Sequence, residues 1–277
     1  MDRRDFLKTA VMVAGAGAAC AGPARAKQRG SGVETGGRAP AVEPIADYLE
    51  KWTPVDGPEL DPEKYSLTYD VIHWNGTRTG TIRNPIIGRL SLSRGPDGDG
   101  ARMKVNQRVE FGGHQNILAA DIRCAASDPP GRLSSWTLET EGRPGKRQGL
   151  VPMKMRDEGR NRGGRIVIET DPCRQEYTAE NPVVSQWTVL DAVVAGAADD
   201  EVLSLDVLHD LSLFSSGQTL RHAGPVDVPV KGGRTVRMDS YVRTGSGTLP
   251  VHYVVDDAGR PQLVTACTVS WGLKALG

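Results

Sequence analysis

Residues 65–84, YSLTYDVIHWNGTRTGTIRN, decide the fold class. Leu67, Tyr69, Val71 and His73 alternate with Thr68, Asp70, Ile72 and Trp74, the period-two pattern of a β-strand. Asn75-Gly76 follows, a pair that tolerates the positive φ of a type I′ turn, so the spacing predicts a β-hairpin turning there. The same grammar returns in residues 101–126, where Gly112-Gly113 separates two strand-like runs. It returns again in residues 250–273, where Asp257-Ala258-Gly259 stands between VHYVV and LVTACTVSW.

Between these hairpins lie RLSSWTLETE (132–141), GRIVIET (164–170), VDVPV (226–230) and RTVRMDSYVRTG (234–245), each short and bounded by turn residues. EVLSLDVLHDLSLF (201–214) mixes two periods and leans to strand. This rhythm predicts a mainly β protein, an antiparallel β-barrel or half-barrel, and not alternating βαβ units. Two segments carry helical spacing instead. Within 41–52, Ile45, Leu49 and Trp52 share one side; within 184–195, Val184, Trp187, Leu190 and Val194 do the same, with Ser185 available as an N-cap. These are the expected capping helices of a single domain over 41–277. The charged, Gly-rich KMRDEGRNRGGR (154–165) reads as an exposed loop.

The first 26 residues are of another kind. Arg3, Arg4, Phe6, Leu7 and Lys8 form the core of what resembles a twin-arginine signal peptide, followed by a Gly/Ala-rich stretch too short to span a bilayer. Ala24-Arg25-Ala26 fits small-x-small cleavage, leaving a mature chain that starts at Lys27; lipidation at Cys20 is the minor alternative. Residues 27–40, KQRGSGVETGGRAP, read as a flexible linker. No later stretch approaches the ~20 apolar residues of a membrane helix. The expected location is therefore periplasmic. Removing the leader's four basic and two acidic residues takes the formal net charge from 0 to −2, a balance that argues against nucleic acid as partner.

Several segments together resemble a loose group of uncharacterised exported β-proteins of bacterial envelopes: LTYDV followed by NGTRTGTI, the WTVLDAVV helix, and the terminal PVHYVVDDAGRPQLVT hairpin. More remotely, the layout is similar to half-barrel lipoprotein carriers, which hold an acyl chain inside a curved sheet. The resemblance implies a fold and a compartment, and it supplies no catalytic residue.

Chemistry-bearing residues are scattered. The histidines occur singly, and the nearest approach to a metal or acid–base cluster is His252 with Asp256 and Asp257, although the two aspartates equally suit a polar hairpin turn. Ser246 lies between glycines but lacks the strand–turn–helix setting of a nucleophile elbow. No glycine pattern fits a nucleotide or dinucleotide, and no cofactor is expected. Glu110, Glu139, Glu169 and Asp191 could supply a glycosidase pair, whose separation is a three-dimensional quantity. Trp74, Trp136, Trp187 and Trp271 could line a ligand pocket or sugar platform, though packing is the commoner role for so few aromatics. Cys124, Cys173 and Cys267 lack metal-site spacing; one disulfide plus a free thiol suits an oxidising compartment. The leading expectation is an exported, non-catalytic envelope protein that binds an apolar or lipid-like molecule or a protein partner. The alternative is a hydrolase acting on an envelope polymer such as a glycan.

Overall fold

The computed structural model describes residues 40–76, 82–145 and 151–277. The twin-arginine core, both processing sites and the linker up to residue 39 lie outside the described residues. Strand β1 (Tyr65–His73) is followed by the two-residue strands β2 (Asn75–Gly76) and β3 (Ile82–Arg83). A meander then runs through β4 (Ile86–Asp97), β5 (Gly100–Phe111), β6 (His114–Cys124), β7 (Leu133–Arg143), β8 (Met153–Arg162), β9 (Arg165–Thr170) and β10 (Cys173–Thr178). The second half comprises β11 (Val183–Ser185), β12 (Leu203–His209), β13 (Leu213–Val230), β14 (Arg234–Gly245), β15 (Thr248–Val255), β16 (Pro261–Thr265) and β17 (Val269–Leu276). Helix α1 (Ala46–Leu49), preceded by a 3-10 turn at Glu43–Ile45, lies before β1; helix α2 (Val189–Val194) lies between β11 and β12.

Fifteen strands form one sheet, in the order β10-β9-β8-β7-β6-β5-β4-β1-β17-β16-β15-β14-β13-β12-β11. Neighbouring strands pair antiparallel except β11 and β12, which run parallel. Strands β4–β10 and β12–β17 are each a succession of hairpins, and β1 pairs with β17 to join them. The sheet curls until its two ends meet. The rings of Tyr177 on β10 and Phe214 on β13 stack at 5.1 Å. The Trp136 Nε1–H of β7 donates to Leu211 O in the β12–β13 turn at 3.2 Å, and Asp206 Oδ2 on β12 accepts the N–H groups of Glu180 and Asn181. The result is barrel-like, with an inner and an outer face.

Helix α2 occupies the inside. Val189, Leu190, Ala192 and Val193 are each at most 2% exposed, as is Trp187 just before them. They pack in one cluster with Tyr69, Leu92, Met103, Ile122, Leu205, Leu220 and Tyr253 from the surrounding strands. Burying a large apolar side chain contributes about 1.5–3 kcal/mol, so this plug is a main source of stability. A second cluster lies outside. Ile45, Leu49 and Trp52 pack on Ile72, Val228, Met238, Val254 and Leu263 of the outer face. Hydrogen bonds hold this N-terminal strap down: Trp52 Nε1–H to Leu273 O at 3.2 Å, Lys231 N–H to Trp52 O at 2.9 Å, and Thr265 Oγ1–H to Ala41 O at 2.6 Å.

Two of the three predicted hairpins turn where the turn residues stand: Gly112 and Gly113 at φ 59° and 80°, and Gly259 at φ 71°. After the terminal hairpin, LVTACTVSW divides into β16 and β17. Ser270 Oγ accepts the Ala266 N–H and donates back to the Ala266 carbonyl across that turn. The first hairpin is longer than predicted. Asn75 and Gly76 are strand residues paired with Arg83 and Ile82, and residues 77–81 lie outside the described residues. The ladder resumes with His73 N–H bonded to Pro85 O, next to a shift of register between Val71 and Ile72.

Three other expectations are corrected. Val183–Ser185 is strand, and the helix begins only at Val189. The segment read as a charged loop is β8 with its turn into β9; Arg156 and Arg160 on β8 pair with Glu139 and Glu169 on the flanking strands, a cross-strand ladder that satisfies charge on a solvated sheet. The three cysteines among the described residues are free thiols: Cys124 is buried in β6, whereas Cys173 and Cys267 are exposed on β10 and in the β16–β17 turn.

Candidate functional site

The inner face is locked by polar groups as well as filled. Ser185 Oγ accepts the Thr188 N–H at 3.0 Å and the Trp187 N–H at 3.3 Å, while Thr188 Oγ1 accepts the Ser185 N–H at 2.9 Å; this reciprocal cap starts the turn into α2. Asp191, 2% exposed, points from α2 to the wall. Its Oδ1 accepts the Tyr65 hydroxyl at 2.5 Å and lies 3.1 Å from Arg94 Nε. Burial raises the Asp191 carboxyl, against the opposing pull of Tyr65 and Arg94. The neighbouring Cys124 thiol is pushed up to about 12, chiefly by burial, so it is an unreactive apolar group. These residues tie α2 to β1, β4 and β6.

The sequence-predicted residues do not converge. Asp256 Oδ1 accepts the N–H groups of Ala258 and Arg260, each at 3.0 Å; its Oδ2 accepts Arg260 Nε–H at 2.7 Å and Gln262 Nε2–H at 2.6 Å. Asp256 is thus the brace of the β15–β16 turn, with Asp257 exposed at its tip. His252 stands between Val242 and Thr265, on the face opposite Tyr253 by strand alternation. Burial, and then the charge of Arg221, lower its pKa. Glu110 bonds Gln115, Glu139 bonds Arg156 and Glu169 bonds Arg160, all on the exposed meander and apart from buried Asp191. Trp136 and Trp187 are packing residues and Trp271 lies against Tyr69 at 6.1 Å; Trp74 is the exposed one, at 42%. Ser246 is exposed in the β14–β15 turn. Among the described residues no group of three His, Cys, Asp or Glu is placed to hold a metal ion.

A cleft of about 730 Å³ opens instead on the outer face, where the strap crosses β1 and β17. Tyr48, Trp52 and Ile86 form its apolar wall, and Lys51, Arg83 and Lys274 also line it. Asp70 lies in it, 6% exposed, with Arg89 Nε 4.0 Å away as its ion-pair partner. Burial, aided by the Asp70 charge, raises the Tyr48 hydroxyl above its ordinary range, so it is a protonated donor. Tyr48 can lie flat across β17 because residue 272 is glycine: a Cβ there would stand 2.5 Å from the Tyr48 oxygen. Asp47 and Asn84 clamp the cleft's end, with Asp47 N–H donating to Asn84 Oδ1 at 3.0 Å and Asn84 N–H to Asp47 Oδ2 at 3.2 Å. The cleft combines one nearly buried carboxylate, a phenol and an aromatic wall, which suits recognition by hydrogen bonds and apolar contact. Sequence reasoning used Asp70 only as one term of an alternation. The available signal was an acidic residue followed directly by Val71 and Ile72, both fully buried.

No family model matches the chain, and no curated protein matches it. Among solved structures it is similar to a beta-barrel-like protein of the domain of unknown function DUF1849 from Brucella abortus. The identity is 10% and the TM-score 0.47, over 79% of this chain and 98% of that one.

Proposed function

We propose that this chain is an exported, non-catalytic protein of the bacterial envelope that works by binding a protein partner at its outer surface. The observation that carries the reading is the occupancy of the barrel by its own helix. Among the described residues α2 and Trp187 fill the inner face where an acyl chain would lie, whereas the cleft beside the strap is open to solvent. An extended segment of a partner would lay a hydroxyl or basic side chain against Asp70 and apolar groups against Trp52 and Ile86. Dispersal of Glu110, Glu139, Glu169 and Asp191 over separate parts of the fold weighs against the glycan hydrolase.

Native mass spectrometry of protein taken from its own envelope tests both halves. The expected species are a mature chain beginning at Lys27 and a complex with a second protein. Asp70→Asn, which keeps the shape and removes the charge, should deplete that complex by about tenfold if the buried carboxylate is an anchor. A co-purified lipid in the wild-type spectrum would overturn the partner reading, and a chain retaining Arg3 and Arg4 in the cytoplasmic fraction would overturn export.

A further inference from the structure

One inner-face cation is unused by the fold. Arg243 on β14 is 4% exposed, and among the described residues its Nε and Nη1 have no hydrogen-bond partner. Its neighbours in register are Leu220 on β13 and Val251 on β15, both facing the interior cluster. It stands two residues inside the β14–β15 turn, at the mouth of the barrel. Around it are Gln218, 1% exposed, and His209 at the end of β12, whose Nε2 lies 3.5 Å from Gln218 Nε2. Burial and the Arg243 charge lower the His209 pKa to about 4, so the imidazole is neutral near pH 7 and adds no charge. Tyr253 also feels the guanidinium, which opposes the rise that burial gives its hydroxyl.

The acids on β12 and in its turn into β13 are committed elsewhere. Asp206 accepts N–H groups of Glu180, Asn181 and Gly217 together with Asn181 Nδ2–H, and Asp210 is bonded to Gln186. A guanidinium cannot lose its proton, and a buried charge left unpaired costs several kcal/mol. We infer that Arg243 anchors an anion-binding site at the mouth of the barrel, taking the carboxylate of a small organic acid. A carboxylate suits this site better than a phosphate dianion for two reasons. It neutralises the single charge without excess, and its planar pair of oxygens can accept from the guanidinium and from Gln218 together while its apolar remainder meets the partly exposed Val251.

The test is NMR titration of the mature protein with butyrate, following the Arg243 Nε–H and His209 ring signals, with tetramethylammonium chloride and inorganic phosphate as matched salts. Expected are saturable shifts with butyrate that weaken at least about tenfold in Arg243→Met. Butyrate should also raise the melting temperature of the wild type and leave Arg243→Met unmoved. Without butyrate, Arg243→Met should melt no lower than the wild type, because it removes an unpaired buried charge. Absence of saturable shifts, an equal response to phosphate, or an Arg243→Met chain that melts lower or fails to fold would overturn the assignment, the last by showing that the guanidinium serves the fold itself.

Discussion

A Cβ on Gly159 would stand 1.9 Å from the Trp136 ring, so the indole lies across β8 only because position 159 has no side chain. The same exchange of side chain for space recurs on the other face, where Gly272 admits Tyr48. Single residues also set the response to acid. His209 has a folded pKa of about 4 against an ordinary 6.5, lowered by burial and by Arg243. As pH falls through that window the unfolded chain takes up a proton that the folded chain refuses, so stability is lost toward acid, by up to about 3 kcal/mol. His73 and His252, also lowered, add the same sign. Urea unfolding at neutral pH and near about pH 4.5 should show the loss in wild type and a flatter profile in His209→Gln. Equal acid sensitivity in the two proteins would remove His209 from the explanation.

At the scale of elements, β8, β9 and β10 form an arm whose exposed charges meet across strands. Arg165 pairs with Glu176 at 2.7 Å, and Arg174 with Glu176 at 2.6 Å and Glu169 at 3.5 Å. Exposed pairs of this kind are each worth roughly 0–1 kcal/mol, too little to explain their density. Their stronger role is at the edge: among the described residues β10 pairs only with β9, and charge on an edge strand discourages further pairing. Replacing Arg174 and Glu176 with Val should therefore leave the melting temperature within a few degrees while producing concentration-dependent association in sedimentation velocity.

The same arm explains what could be read in advance. Gly112-Gly113 and Asp257-Ala258-Gly259 were legible because turn chemistry is local. Strand β8 was not, because both its faces are largely solvated and only Asp157 and Gly159 are buried, so no apolar alternation marks it. VVSQWTVLDAVV could not be divided into strand and helix, since Val183, Val184, Trp187 and Val189 are all buried and a fully buried run shows no preferred face. Asp70, Tyr48 and Arg243 come together with their surroundings only through tertiary packing. His252, Asp256 and Asp257, adjacent in sequence, are divided between a strand face and a turn.

For the whole molecule, the pairing of β1 with β17 is the seam between two curled halves, with residues 67–73 bonded to residues 269–276. Deleting residues 269–277 should leave one side of β1 open and uncover Val71 and Tyr69, which now face Trp271 and Leu273 in register. The expected result is an insoluble chain, scored by the soluble fraction after expression beside the full chain; a soluble, cooperatively melting truncation would show that the halves stand without the seam. The position of that seam also gives the fold a direction in time. Strands β4 to β10 can zip to their predecessors as each leaves the ribosome, yet β1 waits for β17 before its second edge is paired. The seam therefore closes only after β17 has been made. Machinery that threads chains through a membrane residue by residue would handle this protein before that closure, and machinery that moves finished cargo, as the paired arginines propose, would handle it after.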